Sequence, residues 1–257
     1  IVQPIMLYGS EIWGSYLFRR PNLLSFTDII FSPKLGSEKF HLKVWKQILG
    51  INRRSSNISS LLELGRYPIV VNIYKALIVY LLRIMNTAKS QLLTAALNVQ
   101  KGFGNVSMLN FTNLPMTIAH HIGYTKKGFK KNCISKCKLD LESRTIMIKL
   151  QAAFVQIFPL IIDQNKKLYL YGNIKKQFRL EPYLSNVTNV KHRVSICKFR
   201  TSSHNLPIEV GRYNGLEQNE RLCKMCTQNE IGTELHVLFK CNNVKIVSLR
   251  KKSIQGD

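Results

Sequence analysis

Acid is the scarcest functional group in this sequence. Its 257 residues hold four aspartates, Asp28, Asp140, Asp163 and Asp257, and none stands beside another acid in a strand-turn context. Two-metal phosphoryl chemistry needs clustered carboxylates, so the residues present supply no polymerase or nuclease centre. No glycine-rich phosphate loop precedes a helix, and no Gly-x-Ser-x-Gly elbow occurs. Six cysteines in this length do not make a disulfide scaffold, and no repeat of 20–50 residues emerges. The chain is expected to perform no chemistry on its own and to take no small-molecule substrate.

Base is what it has in excess. Lys plus Arg number 38 against 14 Asp plus Glu, a formal charge of +24 spread along the whole length. A domain this basic repels itself unless a polyanion is near, so RNA or DNA is the first partner to consider. An anionic membrane surface is the second. The length allows one large domain or two to three small ones. A start at Ile1 suggests a fragment or processed product. The absence of a signal-peptide pattern and the odd thiols left after the motif below suit a reducing, nuclear and cytoplasmic setting.

Helical periodicity dominates, giving a mainly α expectation. Ile1–Gly14 reads as a buried helix or strand entering a core, and 19–36 as a loop. Ser37 is placed as the cap of a helix that Gly50 stops, with Phe40, Val44 and Ile48 as its apolar stripe, widened by Trp45 and Leu49. Lys39, Lys43 and Lys46 fall off that stripe, as an ordinary solvated face or a phosphate-facing edge. A short helix over 57–64 ends at Gly65, and Pro68 opens a core helix running to about Asn86. Helices follow at 87–100 and near 115–122. The segment Tyr124–Asn132 interleaves four lysines with two aromatics and reads as a phosphate-pairing loop or a flexible linker. Residues 140–162 form a long apolar helix, read as buried rather than membrane-spanning because Lys149, Gln151, Gln156 and Pro159 interrupt it. Val187–Arg200 is a helix with Lys191, Arg193, Lys198 and Arg200 on its polar side.

The most specific pattern lies near the end: Cys223-Lys-Met-Cys226, then His236 and Cys241. Two cysteines separated by two residues point both sulfurs at one ion from a tight turn, and the His and third Cys close a tetrahedron. With four protein ligands no position is left for water or substrate, so the expected zinc site is structural. His236 and Cys241 are five apart, off one face of a regular helix, which predicts a short helix from about Thr233 that breaks before Cys241. A redox reading is disfavoured because no βαβ pattern surrounds the pair. Cys133 and Cys137 have no partnering His nearby and are read as unliganded.

Three stretches carry a family resemblance. The run Arg200-Thr-Ser-Ser-His204-Asn-Leu-Pro-Ile-Glu-Val-Gly-Arg212-Tyr, followed by the cysteine motif, resembles the tail of LINE-type (non-LTR) retrotransposon reverse transcriptases. Leu7-Tyr-Gly-Ser-Glu-Ile-Trp-Gly14 is similar to the segment where that family's palm hands over to its thumb. Phe40 through Pro68 is similar to the helical thumb. The resemblance implies an RNA-directed DNA polymerase whose catalytic aspartates lie upstream of Ile1, with any endonuclease also N-terminal. It implies a helical thumb-like bundle over 1–90, a helical connecting region over 91–186, and a basic helix plus Cys/Cys/His/Cys zinc knuckle over 187–257. Ligand roles fall on Cys223, Cys226, His236 and Cys241. Nucleic-acid contact falls on Arg193, Lys198, Arg200, His204, Arg212, Arg221 and Lys224. The alternative is a non-enzymatic protein-interaction module scaffolded by the zinc knuckle. The strongly apolar 146–162 helix departs from the family pattern.

Overall fold

Apolar periodicity and glycine stops place most of the helices. The computed structural model describes residues 2–14, 36–86, 91–102, 113–124 and 136–255. In chain order the helices are α1 (Val2–Leu7), α2 (Ser10–Trp13), α3 (Gly36–Leu49), α4 (Asn57–Glu63), α5 (Ile69–Asn86), α6 (Gln91–Gly102) and α7 (Asn113–His121). Then come α8 (Lys136–Asp163), α9 (Tyr169–Ile174), α10 (Pro182–Asn186), α11 (Val190–Arg200), α12 (Pro207–Tyr213) and α13 (Val244–Gln255). The protein is mainly α. Among the described residues no strand forms, and β-type pairing is confined to the isolated bridges Leu64–Leu180 and Leu222–Ile231. The basic-aromatic loop after Tyr124, Cys133 and nearly all of the 19–36 loop lie outside the described residues.

The chain divides into two compact units that are each discontinuous, Ile1–Val44 with Gly65–Ile161, and Trp45–Leu64 with Ile162–Asp257. They cut across the three consecutive stretches drawn from the sequence, because residues distant along the chain share each core.

In the first unit α5 is the central element. Val70, Val71, Ile73, Tyr74, Leu77, Ile78 and Leu81 are buried on it, with Leu114 and Ile118 of α7 and Ile146 and Leu150 of α8 in the same cluster. Burying each such side chain stabilises by about 1.5–3 kcal/mol. A Glu38 carboxylate oxygen accepts the Val70 N–H at 3.2 Å, which satisfies one of the orphan donors at the start of α5. The α8 helix buries Ile146, Leu150, Phe154, Phe158 and Ile162, every fourth residue, while Ile148 and Leu160 are 65% and 60% exposed. Among the described helices it alone is long and apolar enough to cross a membrane. The N-terminal segment is helical and enters the core in part, as expected: Leu7 and Trp13 pack against this cluster and Ser10 is buried, while Ile5 and Tyr8 are 74% and 87% exposed.

The stripe expected on α3 is corrected. Phe40 and Ile48 are 48% and 61% exposed, and the buried positions are Glu38, His41, Leu42, Lys46 and Leu49. Their spacing is helical, but three of the five are polar, so hydrophobic periodicity misses the face. Ser37 is not a side-chain cap either; its Oγ has no hydrogen-bond partner among the described residues.

The second unit forms around Leu49, Ile51 and Cys197, with Leu64, Tyr183 and Leu184 against them. Gly50 ends α3 at φ 65°, and a Cβ there would come within 2.7 Å of a Val194 methyl. Both requirements select glycine. Lys46 is no solvated lysine. Its Nζ donates to the Arg53 carbonyl at 2.9 Å, the Ser55 carbonyl at 2.6 Å and Asn57 Oδ1 at 2.7 Å. Three oxygens match the three N–H donors of an ammonium, while burial and then the charge of Lys167 draw its pKa down to about 8.

Candidate metal centre

The ligands sit on two short turns, each made by a local backbone feature. The first follows a pinched pair of segments: the Cys223 N–H donates to the Glu230 carbonyl at 2.8 Å and the Gly232 N–H to the Arg221 carbonyl at 2.9 Å. Asn229 turns the chain between them at φ 52°, a conformation asparagine tolerates better than most residues. The second turn is a π-turn over His236–Lys240. Its closing bond runs from the Cys241 N–H to the His236 carbonyl at 2.7 Å. An i→i+5 bond widens the turn, so residues five apart face the same way. The expected short helix is present and ends before Cys241, whose backbone is non-helical; the widening of its last turn to a π-turn was not expected.

These turns bring the four ligand atoms of Cys223, Cys226, His236 and Cys241 within 4.8 Å of one another, close enough to hold a metal ion. Cys223 Sγ and Cys241 Sγ are 4.0 Å apart, and Cys226 Sγ is 3.3 Å from His236 Nε2. Burial raises the Cys223 thiol above its ordinary range. The backbone N–H of Gln228 leads the effects that draw Cys226 down to about 7, with His236 and the other two thiols contributing.

A second layer of residues orients the ligands. His236 Nδ1 pairs with Glu230 Oε2 at 2.9 Å, which leaves Nε2 facing the sulfurs, the arrangement typical of metal-ligating histidines. Thr233 Oγ1 accepts the His236 N–H at 3.1 Å. Asn243 donates from Nδ2 to the Met225 carbonyl at 2.7 Å while its Oδ1 accepts the Lys245 N–H at 3.1 Å. One side chain therefore caps α13 and ties it to the CxxC turn. The Arg250 guanidinium donates to the carbonyls of Val237, Phe239 and Cys241, satisfying oxygens that the end of the π-turn leaves open. Sequence reasoning missed Glu230, Asn243 and Arg250. Asn243 alone carried a readable signal, an N-cap residue ahead of a periodic segment.

Most of the residues expected at a nucleic-acid interface are occupied internally. Arg200 donates from Nε and Nη2 to the fully buried Glu63 at 3.0–3.2 Å and pairs with Glu181 at 2.7 Å. Tyr183 OH also donates to Glu63, and Lys175 pairs with Glu181. His204 accepts the Leu206 N–H at Nδ1, so Nε2 carries the proton it shares with Glu234 at 2.9 Å. Glu234 is buried, which pushes its carboxyl up, but the bonds from His204 and Ser202 outweigh this and hold it below the usual range. Arg212 pairs with Glu209 at 2.7 Å. Arg221 donates to the Leu216 and Ile208 carbonyls, and Arg193 to the Leu184 carbonyl. Lys198 is half-buried, and Lys224 alone of the seven is exposed. Compared with protein-family models, curated proteins and solved structures, the chain matches none of them.

Proposed function

We propose that this chain is the C-terminal part of a non-LTR retrotransposon RNA-directed DNA polymerase, and that it grips RNA or DNA through basic helices and a structural zinc knuckle. The observation that carries the reading is the Cys3His cluster with all four ligand atoms within 4.8 Å, set in a chain of charge +24. Zinc fits the donor set. Zn–S near 2.3 Å and Zn–N near 2.0–2.1 Å give tetrahedral edges of about 3.5–3.8 Å, and the 3.3 and 4.0 Å separations bracket them. The Glu230 contact orients the imidazole as a zinc ligand requires. Lys224, Lys240 and Lys245, close to the ligands in the chain, are exposed, as are Lys251 and Lys252 further along α13. Lysines so placed give salt-dependent phosphate binding with little base readout. Polymerase chemistry belongs to carboxylates outside these residues.

One observation favours the second reading, a zinc-scaffolded protein-interaction module: Arg200, His204, Arg212 and Arg221 are bonded inside the protein. A single experiment separates the two. The full chain is titrated with RNA and DNA at several salt concentrations, before and after zinc chelation. The polymerase-fragment reading expects affinity that falls steeply with salt and drops further on chelation, with loss of amide protection over 221–255. No retention at low salt favours the interaction module.

A further inference from the structure

The turns that carry the four ligands leave most of their apolar side chains in water. Leu235, Leu238 and Phe239 fall at i, i+3 and i+4, one face of a helical turn, and all three are exposed while His236 and Cys241 beside them are buried. Leu222 and Met225, next to Cys223 and Cys226 in the chain, are exposed as well. Val244 opens α13, whose Asn243 cap donates to the Met225 carbonyl at 2.7 Å. Arg250 of the same helix donates to the Phe239 carbonyl at 3.3 Å. The three segments are thus braced to one another, and the ligand atoms that the two turns share lie within 4.8 Å. Phe239 and Val244 are 69% and 82% exposed, whereas Leu222, Met225, Leu235 and Leu238 are 38–49% exposed. The free charge beside them has one sign. Lys224, Lys240 and Lys245 are exposed, and the two acids of the stretch 222–252 are turned to histidines, Glu230 to His236 and Glu234 to His204.

We propose that this apolar surface docks an acidic amphipathic helix of a protein partner, with Leu235, Leu238, Phe239 and Met225 receiving its apolar stripe and Lys224, Lys240 and Lys245 pairing with its carboxylates. This rests on the second reading above, the zinc-scaffolded interaction module, and adds to it the surface and the chemistry of the partner. An apolar centre enriched in Phe and Met with charge at the rim is the anatomy of a protein interface. An amphipathic helix meets such a surface through residues at i, i+3, i+4 and i+7, and flexible methionine adapts to what it presents. A nucleic acid held by the lysines would leave the leucines and Met225 in water. A second copy of this chain would set lysine against lysine, each copy carrying +24, and like charges across an interface reject a partner. A bilayer takes apolar side chains inserted to a depth of about 5–10 Å, whereas four of the six here are more than half covered. An acidic helix answers both the apolar face and the unanswered positive charge.

The test selects a phage-displayed library of helix-forming peptides on the full zinc-loaded chain and measures the best binder as a synthetic fluorescent peptide. The enriched peptides should be acidic, with apolar residues at helical spacing. Phe239→Ala and Leu238→Ala, at zinc content equal to that of the wild type, should each weaken the synthetic peptide roughly 5- to 30-fold. Lys240→Glu combined with Lys245→Glu should weaken it as well, and a peptide of the same charge with its apolar residues changed to serine should not bind. Equal binding of the serine peptide, or enriched peptides that Phe239→Ala and Leu238→Ala leave unaffected, overturns this surface while leaving the interaction module intact. Phosphatidylserine vesicles bound through Phe239, with no peptide enriched, would give the surface to lipid and overturn the proposal. Neither peptide enrichment nor vesicle binding overturns the interaction module along with it.

Discussion

Arg200→Ala is expected to destabilise the second compact unit rather than to remove a polyanion contact. Glu63 is 0% exposed and accepts three bonds from the Arg200 guanidinium, at 3.1, 3.2 and 3.0 Å. The same guanidinium reaches Glu181 at 2.7 Å. Burial works against its charge, but the bonds to Glu63 and the field of Glu181 more than compensate and raise its pKa. Removing Arg200 leaves two carboxylates facing one ammonium, that of Lys175. Uncovering a buried charge in this way costs about 3–5 kcal/mol, a large share of the 5–15 kcal/mol of stability typical of a domain. Arg200→Lys should cost less but still about 1.5–3 kcal/mol, because a point charge does not reproduce the two-toothed contact. Glu63→Gln combined with Arg200→Met should cost less than Arg200→Ala alone, since no unpaired charge is left behind. Urea unfolding read through Trp45 in a Trp13→Phe background reports on the right unit, as these are the two tryptophans of the chain and Trp45 belongs to this unit. A loss below about 1 kcal/mol for Arg200→Ala, the scale of an exposed pair, would refute the reasoning, and a parallel fall in RNA affinity would return Arg200 to the surface.

Two further outcomes follow from the metal cluster and the thiols. Arg250→Met should release α13 from the π-turn carbonyls and speed tryptic cleavage after Lys245 and Lys251 in the zinc-loaded chain, with zinc retained; cleavage at the wild-type rate would mean that Asn243 alone holds the helix. Chelation, which should unfold the turns that carry the ligands, should open Cys226 to alkylation by iodoacetamide at a rate that rises with pH as the thiolate forms, whereas the zinc-loaded chain should resist it. Cys197, pushed up to about 12 by burial, should stay unmodified at neutral pH; mass spectrometry of the alkylated peptides reads both, and equal labelling would contradict the assignment.

The metal ligands were legible because their signal is local. Cys223 and Cys226 are one turn apart, and their partners lie within the next fifteen residues. Helix ends were legible for the same reason: Gly50 and Gly65 adopt φ 65° and 58° where the chain leaves α3 and α4. What escaped were residues whose meaning depends on a distant partner. Glu63 and Arg200 are 137 positions apart, and nothing near either one signals that a basic residue is destined for the interior. The face of α3 escaped because Glu38 and Lys46 are buried against specific acceptors and donors, Val70 for one and Arg53, Ser55 and Asn57 for the other. Hydrophobic periodicity counts such positions as solvent-facing. The π-turn escaped because regular spacing rules have no place for it.

The run from Arg200 to Arg212 has a use that composition conceals. Ser202, held at φ 49°, and His204 both bond Glu234, two residues before His236. Gly211 lets the Arg221 side chain lie where a Cβ would meet it at 2.5 Å, two residues before Cys223. Each end of the run thus braces one of the two ligand-bearing turns, so these residues set the position of the metal cluster from outside it. The two arginines of the run are consumed elsewhere inside the protein, Arg200 by Glu63 and Glu181 and Arg212 by Glu209, so a polyanion is left to exposed lysines outside the run, Lys224, Lys240 and Lys245. Substitutions within the run should therefore disturb zinc retention and stability together, whereas substitutions at Lys224, Lys240 and Lys245 should lower the salt dependence of polyanion binding with zinc content unchanged.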